Sequence, residues 1–166
     1  SYPVVTITGP RQSGKTTLAR MEFPGFSYCN LENPETRNLA AEDPNAFFST
    51  YSCPVIIDEI QRVPQLLSYI QTFVDEKDGK GMFILTGSHQ LDLKQAISQS
   101  LAGRTALLHL LPFSIEELEQ AGIKQDRDTY IYKGFMPRIY KDNLEPTRAY
   151  RNYFQTNLET RGIPWC

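Results

Sequence analysis

Val4-Val-Thr-Ile-Thr-Gly-Pro-Arg-Gln-Ser-Gly-Lys-Thr-Thr-Leu-Ala-Arg20 decides the fold. Its first five residues are all β-branched and favour a pleated strand. The stretch from Gly9 to Gly14 is turn-forming, and Lys15 to Arg20 supplies good helix formers up to Pro24. Gly9-Pro-Arg-Gln-Ser-Gly-Lys-Thr16 fits the phosphate-loop pattern of two glycines with four residues between them, followed by Lys and Thr. Strand before and helix after give that pattern its meaning, since a chance glycine-rich turn would lack both flanks. The glycines let the backbone of Pro10, Arg11, Gln12 and Ser13 wrap so that its N–H groups and the helix N-terminus face an anion. On this reading Lys15 reaches the β- and γ-phosphates of ATP, Thr16 places its hydroxyl on Mg2+, and Thr17 lies closer to the α-phosphate.

Outward from this stretch, short apolar runs alternate with helical periodicity. Strands are expected at Phe26 to Leu31, Pro54 to Asp58, Met82 to Thr86 and Thr105 to Leu111. Helices are expected around Glu35 to Ala41, from Pro64 to Asp75 with Leu66, Leu67, Ile70, Phe73 and Val74 at helical spacing, and from Leu91 to Leu101. Asp78 to Gly81 reads as a turn. Strands without inside–outside alternation, each followed by a helix, predict a parallel sheet covered on both faces, a three-layer α/β sandwich. After Pro112 the character changes. Ser114-Ile-Glu-Glu117 is a capping box opening a short helix that ends near Gly122. Tyr150, Tyr153, Phe154 and Leu158 form an apolar face on a last helix preceded by Pro146.

The run Val55-Ile-Ile57 ends in Asp58-Glu59, which puts two carboxylates at the carboxyl edge of the sheet beside the first loop. Two acids also commonly end an apolar strand, and the upstream loop is what assigns them chemistry. Asp58 would then hold the metal through water and Glu59 would polarise the attacking water. The following strand ends in Thr86-Gly-Ser88, where a polar group can orient the water or the γ-phosphate. Ser88 is the first choice and Thr86 the second, with a plain turn as the alternative. His89, a lone histidine after a turn, reads as solvated. Arg104 in Ser100-Leu-Ala-Gly-Arg104 could reach a γ-phosphate, its own or a neighbouring subunit's, or serve simply as a cation at a helix C-terminus.

Composition bounds the function classes. The 166 residues are 40% hydrophobic and 22% charged, ordinary globular usage for one domain or one domain and the opening of a second. A net charge of -2 and a pI near 5.7 provide no global positive field, so nucleic-acid binding is unsupported. Cys29, Cys53 and Cys166 have neither disulfide-framework nor metal-ligand spacing. No apolar run approaches the ~20 residues that span a bilayer. These features are read as those of a soluble cytoplasmic protein.

Taken together, Gly9-Pro-Arg-Gln-Ser-Gly-Lys-Thr-Thr17, Ile57-Asp-Glu-Ile-Gln61, Leu85-Thr-Gly-Ser88 and Ser100-Leu-Ala-Gly-Arg104 resemble the AAA+-type P-loop ATPases of prokaryotes that usually carry a C-terminal domain of unknown function. The resemblance implies a five-stranded sheet ordered 5-1-4-3-2, binding of magnesium and ATP, and homo-oligomers in which Arg104 works in trans. It also implies an ATPase core over 1–113, with 114–166 forming a helical linker and the truncated start of the C-terminal domain. Three functions compete on these residues. The first is an ATPase driving a conformational switch in a larger protein, and the second is a P-loop kinase for a small molecule. The third is a nucleotide-binding interaction module with negligible turnover. The adjacent acids favour the first, because they suit activation of water better than of a bound acceptor. No residue names a protein partner.

Overall fold

The computed structural model describes residues 2–77, 79–88 and 91–158, without the side chains of 91, 92, 157 and 158. The expectations for Asp78, His89 and the chain after Leu158 therefore lie outside the described residues. The chain divides into two compact units, 1–111 and 112–166.

In the first unit, strands β1 (Val4–Gly9), β2 (Ser27–Asn30), β3 (Val55–Asp58), β4 (Phe83–Ser88) and β5 (Thr105–His109) form one sheet. Its order is β2-β3-β4-β1-β5, and every pairing is parallel. This is the implied order 5-1-4-3-2 read from the other edge. Helices α1 (Lys15–Glu22), α2 (Pro34–Glu42), α3 (Pro44–Thr50), α4 (Leu66–Glu76) and α5 (Leu91–Ser100) connect the strands, with a 3-10 turn at Ile60–Arg62.

Strand alternation divides the core. Val55, Ile57, Phe83 and Leu85 point to one face, where they pack with Phe47 of α3, Leu67 and Ile70 of α4 and Ile97 of α5. Ile7, Ile56 and Ile84 point to the other and meet Ala19 of α1. Both faces of the central strands are thus covered, which is why β3 and β4 are buried along their whole length. β5 is the exception. Leu107 and Leu108 remain about half-exposed, as suits a strand at the sheet edge.

Gly87 and Ser88 are the end of β4, level with Thr8 and Gly9 of β1, and not the alternative plain turn. One difference from the sequence reading matters here. Beyond the one helix expected around Glu35 to Ala41, the segment between β2 and β3 holds a second, α3. Asp43 caps it by accepting from the Ala46 N–H at 2.9 Å, and Pro44 supplies the helix-ready first position.

The second unit contains α6 (Ile115–Gln120), α7 (Arg127–Lys133), α8 (Pro137–Lys141) and α9 (Pro146–Leu158). The capping box forms as read, with Ser114 N–H donating to Glu117 at 2.7 Å and Glu117 N–H to Ser114 Oγ at 3.1 Å. On α9, Tyr150 turns its hydroxyl onto the Lys133 carbonyl at 3.2 Å, while Phe154 is exposed. The expected apolar face is therefore narrower than the sequence suggests.

Phe47 is fully buried, with the rings of Phe48 and Tyr51 about 5 Å away. Phe47→Ala should lower unfolding free energy by about 3–5 kcal/mol, read from the midpoint of a urea titration.

Candidate functional site

β1, β3 and β4 end at the same edge of the sheet, and their last residues are the ones that carry chemistry. Gly9 lies opposite Ser88. Asp58 follows the Ile57–Leu85 pair, which brings it beside Thr86.

Between β1 and α1 the loop turns sharply. Gln12 (φ 64°) and Gly14 (φ 91°) both adopt left-handed backbone conformations. Gly9 is required for space, because a β-carbon there would overlap the Leu110 carbonyl oxygen. Gly14 caps α1 without a side-chain bond, and the first turn of α1 holds no acidic residue. The N–H groups at the start of α1 are thus left for an anion to use. Lys15 is 5% exposed, and its ammonium donates to the carbonyls of Pro10 at 2.7 Å and Gly9 at 3.2 Å. Burial pushes its pKa down, with Glu59 and Asp58 pulling the other way. The hydroxyls of Ser13 and Ser88 are buried and have no hydrogen-bond partner among the described residues. An anion in the loop suits all of these groups: a lysine holding only carbonyls, an uncapped helix start and two orphaned hydroxyls.

Asp58, 4% exposed, accepts from hydroxyls on three elements. Thr16 of α1 reaches both of its oxygens, at 2.9 and 3.0 Å. Thr86 of β4 donates to Oδ1, and Tyr28 of β2 donates to Oδ2 at 3.0 Å. Burial and then the adjacent carboxylate raise the Tyr28 pKa well above its ordinary value, which keeps the phenol protonated as a donor. With its proton committed to Asp58, Thr16 has oxygen lone pairs left for a hard cation. That donor set fits magnesium, which takes one or two carboxylates plus phosphate oxygens in place of an all-protein cage.

Glu59 takes the chain out of β3 with φ 60° and ψ 46°, uncommon for a residue with a β-carbon. Its N–H donates to Thr86 Oγ1 at 3.3 Å, and its carboxylate accepts from the Gln61 amide.

The structure brings Gly9, Pro10, Ser13, Gly14, Lys15, Thr16, Asp58, Glu59 and Ser88 to one edge, with Arg11, Gln12 and Thr17 exposed on the same loop and helix start. Of the two polar groups ending β4, Thr86 bonds to the carboxylate, whereas the Ser88 hydroxyl has no hydrogen-bond partner among the described residues. Arg104 stands apart. Its carbonyl accepts from the Val4 N–H at the opposite edge of the sheet, about 17 Å away along a five-residue strand. Its guanidinium is held by Asp75 through contacts of 2.6 and 2.8 Å. Tyr28 and Gln61 were not singled out from sequence.

A parallel sheet of this order, with a glycine-loop lysine next to a carboxylate-ended strand, defines the P-loop NTPases, a nucleotide-binding class. Within that class the chain belongs to the AAA domain family, which residues 1–119 match. Uncharacterized proteins of Mycobacterium tuberculosis (strain H37Rv) and Mycobacterium bovis are each 35% identical over 163 residues, 97% of this chain and 36% of theirs. The chain thus spans about a third of these curated relatives. A Walker-type ATPase of Pyrococcus abyssi shares the fold with a TM-score of 0.59 at 14% identity, over 96% of this chain and 71% of that one. A signal-transduction ATPase with numerous domains and a tetratricopeptide-repeat sensor, from Pyrococcus horikoshii, aligns with a TM-score of 0.53 at 16% identity. That match covers 84% of this chain and 27% of the other.

Thr86→Val removes the hydroxyl that serves both Asp58 and the Glu59 N–H. It should cost about 1–3 kcal/mol of stability, measured by chemical denaturation.

Proposed function

We propose that this domain hydrolyses ATP with magnesium and that hydrolysis drives a conformational switch in a longer protein. The observation that carries the proposal is the Thr16–Asp58 hydrogen bond, which ties the phosphate loop to the carboxylate strand with Lys15 and Glu59 on either side.

Lys15 exchanges its loop carbonyls for the β- and γ-phosphates, and its low exposure strengthens that attraction. Thr17 lies toward the α-phosphate. Thr16 and Asp58 would hold the magnesium ion, Thr16 directly and Asp58 through water. When bound, the ion supplies positive charge against the charge developing on the phosphate oxygens. Glu59 accepts a proton as water attacks the γ-phosphorus. The bond from that phosphorus to the β–γ bridging oxygen breaks, and ADP and phosphate leave. Ser88, opposite Gly9 and with its hydroxyl buried and without a hydrogen-bond partner among the described residues, is the group on β4 for the γ-phosphate or the attacking water. Arg104 serves only a neighbouring copy in a homo-oligomer, given its place at the far edge. That same placement favours a second reading, a nucleotide-binding module with negligible turnover by the isolated chain.

A cytoplasmic setting, where ATP is abundant, suits this reading. Among the described residues no helix is long and apolar enough to cross a membrane.

Calorimetry with magnesium-ATP should show binding by the wild-type chain and none by Lys15→Ala; equal binding by both would remove the loop from the site. Glu59→Gln should bind as wild type while releasing phosphate about a hundredfold more slowly or worse. Wild-type turnover by that variant would take Glu59 out of catalysis, and absence of turnover in both would establish the binding-module reading.

A further inference from the structure

Two of the hydroxyls on Asp58 belong to elements expected at such a site, the loop helix and the neighbouring strand β4. The third comes from further out. Tyr28 lies on β2, at the edge of the sheet, in register with Ile56 and two residues short of Asp58. Its ring spans that distance and delivers the hydroxyl to Oδ2 at 3.0 Å, whereas Thr86 holds Oδ1. The ring packs on the smaller core cluster with Ile7, Ala19, Ile56 and Ile84. The Arg20 guanidinium lies 4.8 Å from its centroid, on the same helix that carries Thr16. Tyr28 is thereby fixed at both ends, its ring against α1 and its hydroxyl on the carboxylate.

Thr16 has a single proton to share between the two oxygens and so fixes neither firmly. Thr86 on Oδ1 and Tyr28 on Oδ2 give each oxygen a donor of its own, which holds the side-chain torsion and keeps the remaining lone pairs in one direction. We propose that Tyr28 is a positioning residue of the magnesium site, locking the Oδ2 side of Asp58 from the edge strand so that the carboxylate meets the cation's water in a fixed orientation. The inference rests on the proposed binding of magnesium and ATP. Partners that orient a metal-holding side chain in this way typically contribute 10–100-fold in metal affinity or activity.

The test is a fluorescence titration of the chain with N-methylanthraniloyl-ATP, first in EDTA and then across a range of magnesium chloride concentrations. Tyr28→Phe keeps the ring and its contact with Arg20 and deletes only the hydroxyl. It should bind the probe in EDTA as wild type does, yet need about tenfold more magnesium to reach half of the magnesium-dependent gain in affinity. An unchanged magnesium requirement overturns the proposal. So does a Tyr28→Phe chain that melts early by circular dichroism and loses EDTA binding as well, which would mark the tyrosine as a core residue only. A wild-type chain that binds the probe with an affinity indifferent to magnesium overturns the metal reading itself, and this inference with it. A wild-type chain that does not bind the probe at all overturns the nucleotide site.

Discussion

A carboxylate at the end of an apolar, fully buried strand must be solvated by the protein itself. Asp58 is in that position, and an uncompensated charge there would cost several kcal/mol. Hydroxyls from α1, β2 and β4 supply the missing solvation. Each of those elements is consequently held at a set height relative to β3. The parallel order fixes which strands can reach Asp58, and the register fixes which residues on them do.

Charge balance across the loop follows the same rule. Lys15 is buried beside two acids and satisfied by the carbonyls of its own loop. A phosphate chain replaces neutral acceptors with charged ones, so the exchange strengthens the lysine's bonds without asking it to leave water. The preorganisation is local. It is built from glycine geometry at Gly9 and Gly14, and it sits on the end of a strand whose neighbours are buried.

What was legible in the sequence is what short spacing encodes. The loop, the acids ending β3, the Ser114 capping box and the alternation of strand and helix all lie within a few residues of their own signal. Helix α3 carried a usable signal in Asp43-Pro44, a cap residue followed by a proline at the first helical position. The capping role of Asp126 before α7 was equally available, since it accepts from Asp128 and Thr129 N–H at 3.0 Å. Tyr28 was not legible, because its role depends on which strand becomes the neighbour of β3 and on how far a phenol reaches along it. The bond from Thr86 to the carboxylate was hidden for a related reason. Only the β3–β4 register shows that Thr86 stands beside Asp58. Arg104 was ambiguous because its loop reads alike whichever edge of the sheet it faces.

Gly87 gives the site a mechanical property. A β-carbon there would lie 2.5 Å from the Leu93 side chain of α5 and 2.7 Å from the Gln61 amide oxygen, so any larger residue would have to push those two side chains aside. One residue away, Thr86 grips the Asp58 carboxylate and the Glu59 main chain together. Packed interiors are stiff and pass displacement on. The strand that α5 packs against is thus the one whose threonine is bonded to the segment that carries both acids, so the two acids share one support.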